Sequence, residues 1–335
     1  MNNAHIDVRT VLFWGISAVI LLILPQLFPL GYLVNAMITT VVWIIFALAF
    51  DLSAGHVGAV SLGHAVFFGV GAYVAAIAAP QLGLGYFGSM GLSAVTMGIL
   101  ALIAGIAFFR IAEVSFAIGT LGALIIAQQI ANNAYDLTNG PMCIQSVPNP
   151  TIHLPGNAIS VTQPVEYYYA LLPLLLLTLI VYRLLTTQRI GRAFASVRED
   201  EVRASAMGVH PLRYKLLAFS VGGALIGALG SFQAQYITVV CPSELAIDYT
   251  LTMLIIVFVG GAGRMRGVVI GAILFNTLPR ILENIGGGTI PPAYQQVIYG
   301  LILLGVVLYM PDGIDGLITR LTGGRKSKRQ VVTDA

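Results

Sequence analysis

The run "ALLPLLLLTLIVY" (Ala170 to Tyr182) carries no charge and shows no alternation of apolar with polar residues. A strand of a membrane barrel alternates with a period of two, so this run reads as helix. Extended on both sides it covers 166–185. About 20 residues rising ~1.5 Å each match the ~30 Å hydrocarbon core of a bilayer. The pattern recurs along the chain, at roughly 11–30, 33–50, 58–79, 89–109, 114–133, 214–235, 248–263, 267–283 and 293–310. Hydrophobic residues make up 57% of the 335 and charged residues 9%, far from the quarter charged of a soluble domain. The mean hydropathy is +0.88. The expected fold is an all-α integral membrane protein of about ten transmembrane helices. Segment 58–79 holds Ser61, His64 and glycines at 58, 63, 69 and 71, so it reads either as a span or as a re-entrant piece.

Basic residues orient these segments, because Lys and Arg collect on the cytoplasmic side. Arg183, Arg189, Arg192, Arg198, Arg203, Arg213 and Lys215 form one cluster, and Arg320, Arg325, Lys326, Lys328 and Arg329 another. Four spans separate them, so both can lie inside. The same threading puts Arg9, Arg110, Arg264 and Arg266 inside, both termini in the cytoplasm, and Arg280 near the outer side. The membrane domain then occupies 1–320, with a cytoplasmic loop at 186–213, an extracytoplasmic loop at 134–164 and a basic cytoplasmic tail at 321–335. The outer loop, with Pro141, Pro148, Pro150 and Pro155, reads as extended and non-helical. Cys143 and Cys241 both fall outside, where an oxidising compartment permits a disulfide; two unpaired thiols are the expectation. The run Val11 to Leu24 lacks a small-x-small cleavage site and reads as the first span rather than a signal peptide.

Several functions are excluded by what the chain lacks. Two cysteines make neither a disulfide scaffold nor a multi-Cys metal site. There is no G-x-x-x-x-G-K-[ST] loop, no H-E-x-x-H and no G-x-S-x-G. The chain is therefore expected to be non-catalytic, to hold no metal and no cofactor, and to bind no nucleic acid. Its basic tail suits anionic lipid headgroups. Gly223 with Gly227, and Gly267 with Gly271, have the GxxxG spacing and read as helix-packing sites.

Against this oily background, "GRAFASVREDEVRASAMGVHPLRYK" (Gly191 to Lys215) is a charged island. Ser196-Val197-Arg198-Glu199 fits a capping box, with the acidic Glu199, Asp200 and Glu201 in the first turns. Gly208 and Pro211 supply a stop. The spacing predicts one short helix, Val197 to Met207, between two spans. A capped rigid helix there suits docking on another protein better than a solvated loop would.

Three stretches resemble the permeases of the branched-chain amino acid family of ABC importers, most nearly the M-type membrane subunit of the leucine/isoleucine/valine system. They are "DLSAGHVGAVSLGHAVFFGVGAYVAA" (Asp51 to Ala76), the island with its following helix (to Ser231), and "LTMLIIVFVGGAGRMRGVVIGAILFNTLP" (Leu251 to Pro279). The resemblance implies that the loop helix seats on a cytoplasmic ATPase, with Gly191, Arg192, Arg198, Glu199, Asp200, Glu201, Ala204 and Gly208 as the coupling element. It also implies a homologous second permease subunit, two ATPase subunits carrying ATP and Mg, and an extracytoplasmic solute-binding protein, in a bacterial inner membrane. The chain departs from the family pattern at Ile111, Ala112, Ser115 and Phe116, after Gly140, and at Arg280; these departures bear on substrate.

Polar side chains at membrane depth are costly and turn inward. Asn35, Ser61, His64, Thr120, Gln128, Gln129 and Asn276 are candidates for the translocation path. Asp51 and Glu113 fall at the inner edge, which argues against proton coupling. The expected function is the membrane subunit of an ATP-driven importer of branched-chain amino acids; urea, short amides and other amino acids fit the same lining. The competing readings are an autonomous ion-coupled carrier or channel, and a purely structural scaffold.

Overall fold

A computed structural model describes residues 31–111, 113–145, 147–154 and 157–285, with isolated positions at 25, 26, 300, 305 and 313–316. The expected spans at 11–30 and 293–310 and the tail at 321–335 lie outside the described residues, as do both termini.

Among the described residues eleven helices follow one another: α1 (Gly31–Ala54), α2 (Ala65–Gln81), α3 (Tyr86–Phe108), α4 (Glu113–Asn133), the single turn α5 (Tyr135–Thr138), α6 (Pro164–Thr186), α7 (Gln188–Glu199), α8 (Glu201–Ala206), α9 (Pro211–Ile237), α10 (Ile247–Gly260) and α11 (Met265–Ile285). Five of them, α1, α3, α4, α6 and α9, are long and apolar enough to cross a bilayer. The centre is α9, which packs on α3, α2 and α1, while α6 and the α10–α11 pair close around α1. Both GxxxG pairs sit at these contacts. A Cβ on Gly223 would stand 2.7 Å from that of Ala101 on α3, and one on Gly271 2.7 Å from the Ile256 carbonyl on α10. Small residues are what let these backbones approach.

Two apolar segments prove discontinuous. Segment 58–79 begins as a non-helical stretch through residue 64, and only then becomes α2, 17 residues long. Segment 248–263 becomes α10, 14 residues long, followed by a turn at 261–264. At ~1.5 Å per residue neither spans ~30 Å alone. Pro164 at the first position of α6, with Glu166 capping from its third, fixes where that helix starts.

The island differs from its expected form. Instead of one helix from Val197 to Met207 there are two, α7 and α8, broken at Asp200. Asp200 is extended (φ −165°, ψ 112°) and its carboxylate accepts from the Val202 and Arg203 N–H groups. It is the N-cap. Ser196 instead donates to the Ala193 carbonyl inside α7, so the capping box is not formed. A charged carboxylate caps better than a hydroxyl already satisfied within a helix. The stop stands as read: Gly208 is left-handed (φ +82°) and Val209 N–H closes on the Ala204 carbonyl.

On the opposite face, residues 134–164 hold more order than expected. Besides α5 there are β2 (Thr151–Leu154) paired antiparallel with β3 (Asn157–Ser160), and β1 (Ile144–Gln145) paired antiparallel with β4 (Val239–Val240). The β1–β4 register brings Cys143 and Cys241 to a Cα separation of 4.4 Å, and they form a disulfide. The expectation of two unpaired thiols fails because pairing across 98 residues of sequence leaves no local signal.

Candidate functional site

The island lies against the ends of α6 and α9. In α7 the positions Ala193, Phe194 and Val197 are buried, as is Ala204 in α8. Phe194 meets the Tyr214 ring edge-on. One ion pair ties the island down: Glu201 to Lys215, whose ammonium also lies 5.8 Å from the centre of the Phe109 ring. What faces away is mixed. Val202 is 80% exposed and Met207 70%, beside exposed Arg192, Glu199 and Arg203. Two exposed apolar side chains, Val202 on α8 and Met207 just past its end, are thus rimmed by charge.

Of the eight island residues singled out, Gly191 packs against the Thr186 carbonyl. Arg198 does something sequence reasoning does not reach. Its Nη1 donates to the Gly55 carbonyl, in the non-helical stretch before α2. Beside it, Asp51 is fully buried. Its carboxylate accepts from the Tyr182 hydroxyl at 2.5 Å and the Gly263 N–H at 2.9 Å, with His56 Nδ1 at 3.3 Å. Non-helical backbone is tolerated at membrane depth only where such partners satisfy it.

The seven path candidates do not gather around one cavity. Ser61 and Thr120 satisfy the non-helical stretch before α2, which ends at His64. Thr120 Oγ1 accepts from Leu62 N–H, and Ser61 Oγ from Gly63 N–H. His64 is fully buried, 3.2 Å from Ser53 Oγ through Nε2, with its ring edge-on to Phe50, Phe67 and Phe219. Gln128 is half-buried and Gln129 exposed on α4. Asn35 and Asn276 stand apart from these: Asn35 Oδ1 accepts from the Tyr236 hydroxyl, and Asn276 donates to the Ala36 carbonyl and Thr40 Oγ1.

Next to Asn35 is a cavity of about 240 Å³ whose lining includes Thr39, Trp43, Phe46, Gln233, Tyr236 and Tyr249. Trp43 stacks on Tyr249 with centroids 6.1 Å apart. The lining is aromatic and aliphatic, with amide and hydroxyl groups and no charge. Sequence reasoning missed Gln233 and Tyr236, whose three-residue spacing on α9 puts both on one helix face. A separate buried triad, Ser89, Ser231 and Gln235, joins α3 to α9 by hydrogen bonds of 2.6 and 2.7 Å. Among the described residues no group of acidic, His or Cys side chains could hold a metal ion.

With this geometry in place, comparison with known proteins is informative. The chain is 26% identical over 294 residues to the high-affinity branched-chain amino acid transport system permease protein LivM of Salmonella typhimurium, covering 82% of this chain and 68% of that one. It is 25% identical over 316 residues to the corresponding protein BraD of Pseudomonas aeruginosa, covering 88% and 98%. It is also 25% identical over 269 residues to the autoinducer 2 import system permease protein LsrC of Yersinia enterocolitica, covering 77% and 67%. The family described as branched-chain amino acid transport system / permease component matches residues 32–307. A multi-pass helical bundle with that match over most of its length belongs to the branched-chain amino acid transport system permease family.

Proposed function

We propose that this chain is the membrane-spanning, non-catalytic subunit of an ATP-binding-cassette importer, moving branched-chain amino acids across a bacterial inner membrane. The island face is cytoplasmic and the disulfide face extracytoplasmic. ATP and Mg are held by two ATPase subunits that seat on α7 and α8; a second permease subunit and an extracytoplasmic solute-binding protein complete the assembly. The observation that carries this reading is the exposed Val202 on α8 and Met207 just past its end, on a short element fixed by the buried Ala204 and the Glu201–Lys215 ion pair. A chain without a nucleotide site can receive the energy of hydrolysis only through contact, and that patch is where contact is available. Substrate follows from the named relatives and from an uncharged, aromatic cavity suited to a solute with an aliphatic side chain.

The test is a double variant, Glu199→Lys with Val202→Asp. Glu201 is left intact because it neutralises the buried Lys215. Co-purification of the ATPase and nucleotide-driven leucine uptake should both fall at least about tenfold, as expected for losing anchors in an interface centre, while the protein still inserts. Wild-type uptake in this variant refutes docking at α8. Leucine accumulation by the purified chain alone, given an ion gradient and no nucleotide, would refute the importer.

A further inference from the structure

The two discontinuous segments meet at one point, and the island reaches it. Gly55 precedes α2 and Gly263 follows α10, and a Cβ on Gly55 would overlap both the Asp51 carboxylate and the Gly263 nitrogen. The two turns therefore touch backbone to backbone. Asp51 binds them together by accepting from Gly263 N–H, and anchors the pair to α6 through Tyr182. Arg198 enters from α7. Its Nη1 would lie 3.0 Å from a Cβ on Gly263, and its Cγ 3.5 Å from one on Gly58, whose φ is +82°. The guanidinium thus sits between Gly55 and Gly263, with the stem of Arg198 against Gly58. Beyond these turns, α2 and α10 supply Phe68 and Tyr249 to the aromatic cavity.

We infer that Asp51, Tyr182 and Gly263 form with Arg198 a latch that passes displacement of the island to α2 and α10, the two short helices that wall the cavity. This rests on the reading of α7–α8 as the docking element. Its physical content is connectivity. A shift of α7 moves Arg198, and with it the Gly55 carbonyl. Because Asp51 ties the Gly55 and Gly263 turns into one body, the two short helices respond together rather than singly. Helices that cross the whole bilayer are held along their length, whereas helices ending in a turn at depth can pivot. The carboxylate is suited to the tie because charge-assisted bonds are the strong ones. None of these four residues lines the aromatic cavity; they are positioning residues.

The test uses the whole complex, reconstituted in vesicles with its ATPase and binding protein, reading leucine accumulated per ATP hydrolysed. Tyr182→Phe removes one donor while keeping the ring, Asp51→Asn removes the charge, and Arg198→Ala and Arg198→Lys grade the contact with Gly55. Hydrolysis should stay within about twofold while leucine moved per ATP falls about tenfold, in the range of a single coupling free energy. Arg198→Lys, which keeps one donor, should recover part of the ratio. An unchanged ratio in Tyr182→Phe and Arg198→Ala overturns the latch. A parallel loss of hydrolysis and uptake, with less ATPase bound, also overturns it, since the residues would then serve docking alone. If Asp51→Asn fails to insert, Tyr182→Phe decides. If the wild-type complex shows no nucleotide-driven uptake, the importer reading falls and the latch with it; wild-type coupling with an unaltered ratio in the variants sinks the latch alone.

Discussion

Gly227 has no room for a side chain. A Cβ there would collide with Met97 and stand 2.8 Å from the Ser93 carbonyl, both on α3. Gly227→Val must therefore push α9 from α3 or strain their rotamers, and overpacking of this kind costs about 1–3 kcal/mol. The expected outcome is a lower unfolding midpoint in detergent, with the β1–β4 pairing intact; an unchanged midpoint would mean the contact is looser than it stands here. GxxxG spacing made this residue visible in the sequence. Asp51 was visible only as a carboxylate near a helix end. Its two donors arrive from positions 182 and 263, and no local pattern joins residues so far apart. His64 lies between these cases. As a polar side chain at depth it reads as a path candidate, whereas it lies beside the Ser53 hydroxyl inside a cage of three phenylalanines.

Elements were legible in proportion to how local their causes are. Apolar runs place α1, α3, α4, α6 and α9 within a few residues, because burial in lipid is dictated by composition over one helix length. The island shows the limit. The S-x-x-E match at Ser196 competes with Asp200, and which residue caps depends on where α7 is anchored by Phe194 and Val197. The disulfide element is a second case. Replacing both Cys143 and Cys241 by Ser should leave β1 and β4 joined by their ladder, by Val147 N–H to the Thr238 carbonyl and by the packing of Val147 and Val240 against α2. A stability loss of about 2–4 kcal/mol is expected from releasing a long closed loop. Faster hydrogen exchange should be confined to residues 139–147 and 238–245, and exchange accelerating equally across α6 would count against this.

At the scale of the whole molecule, sidedness is the claim most open to a direct check. Arg280 lies 5.7 Å from the Tyr32 ring at the start of α1, while Arg198 sits by Gly55 just past its end. The two therefore occupy opposite faces, as charge counting required. An impermeant maleimide applied to intact spheroplasts should label neither cysteine at first, and both after an impermeant reductant. Labelling that needs the inner face to be opened would invert the topology.

The bond from Ala65 N–H to Thr250 Oγ1 has a further consequence. The start of α2 is completed by a hydroxyl that the ribosome makes 185 residues later. Before α10 is made, the Ala65 N–H lacks this acceptor, so α2 is expected to take its final seat only once the late half of the chain has been delivered.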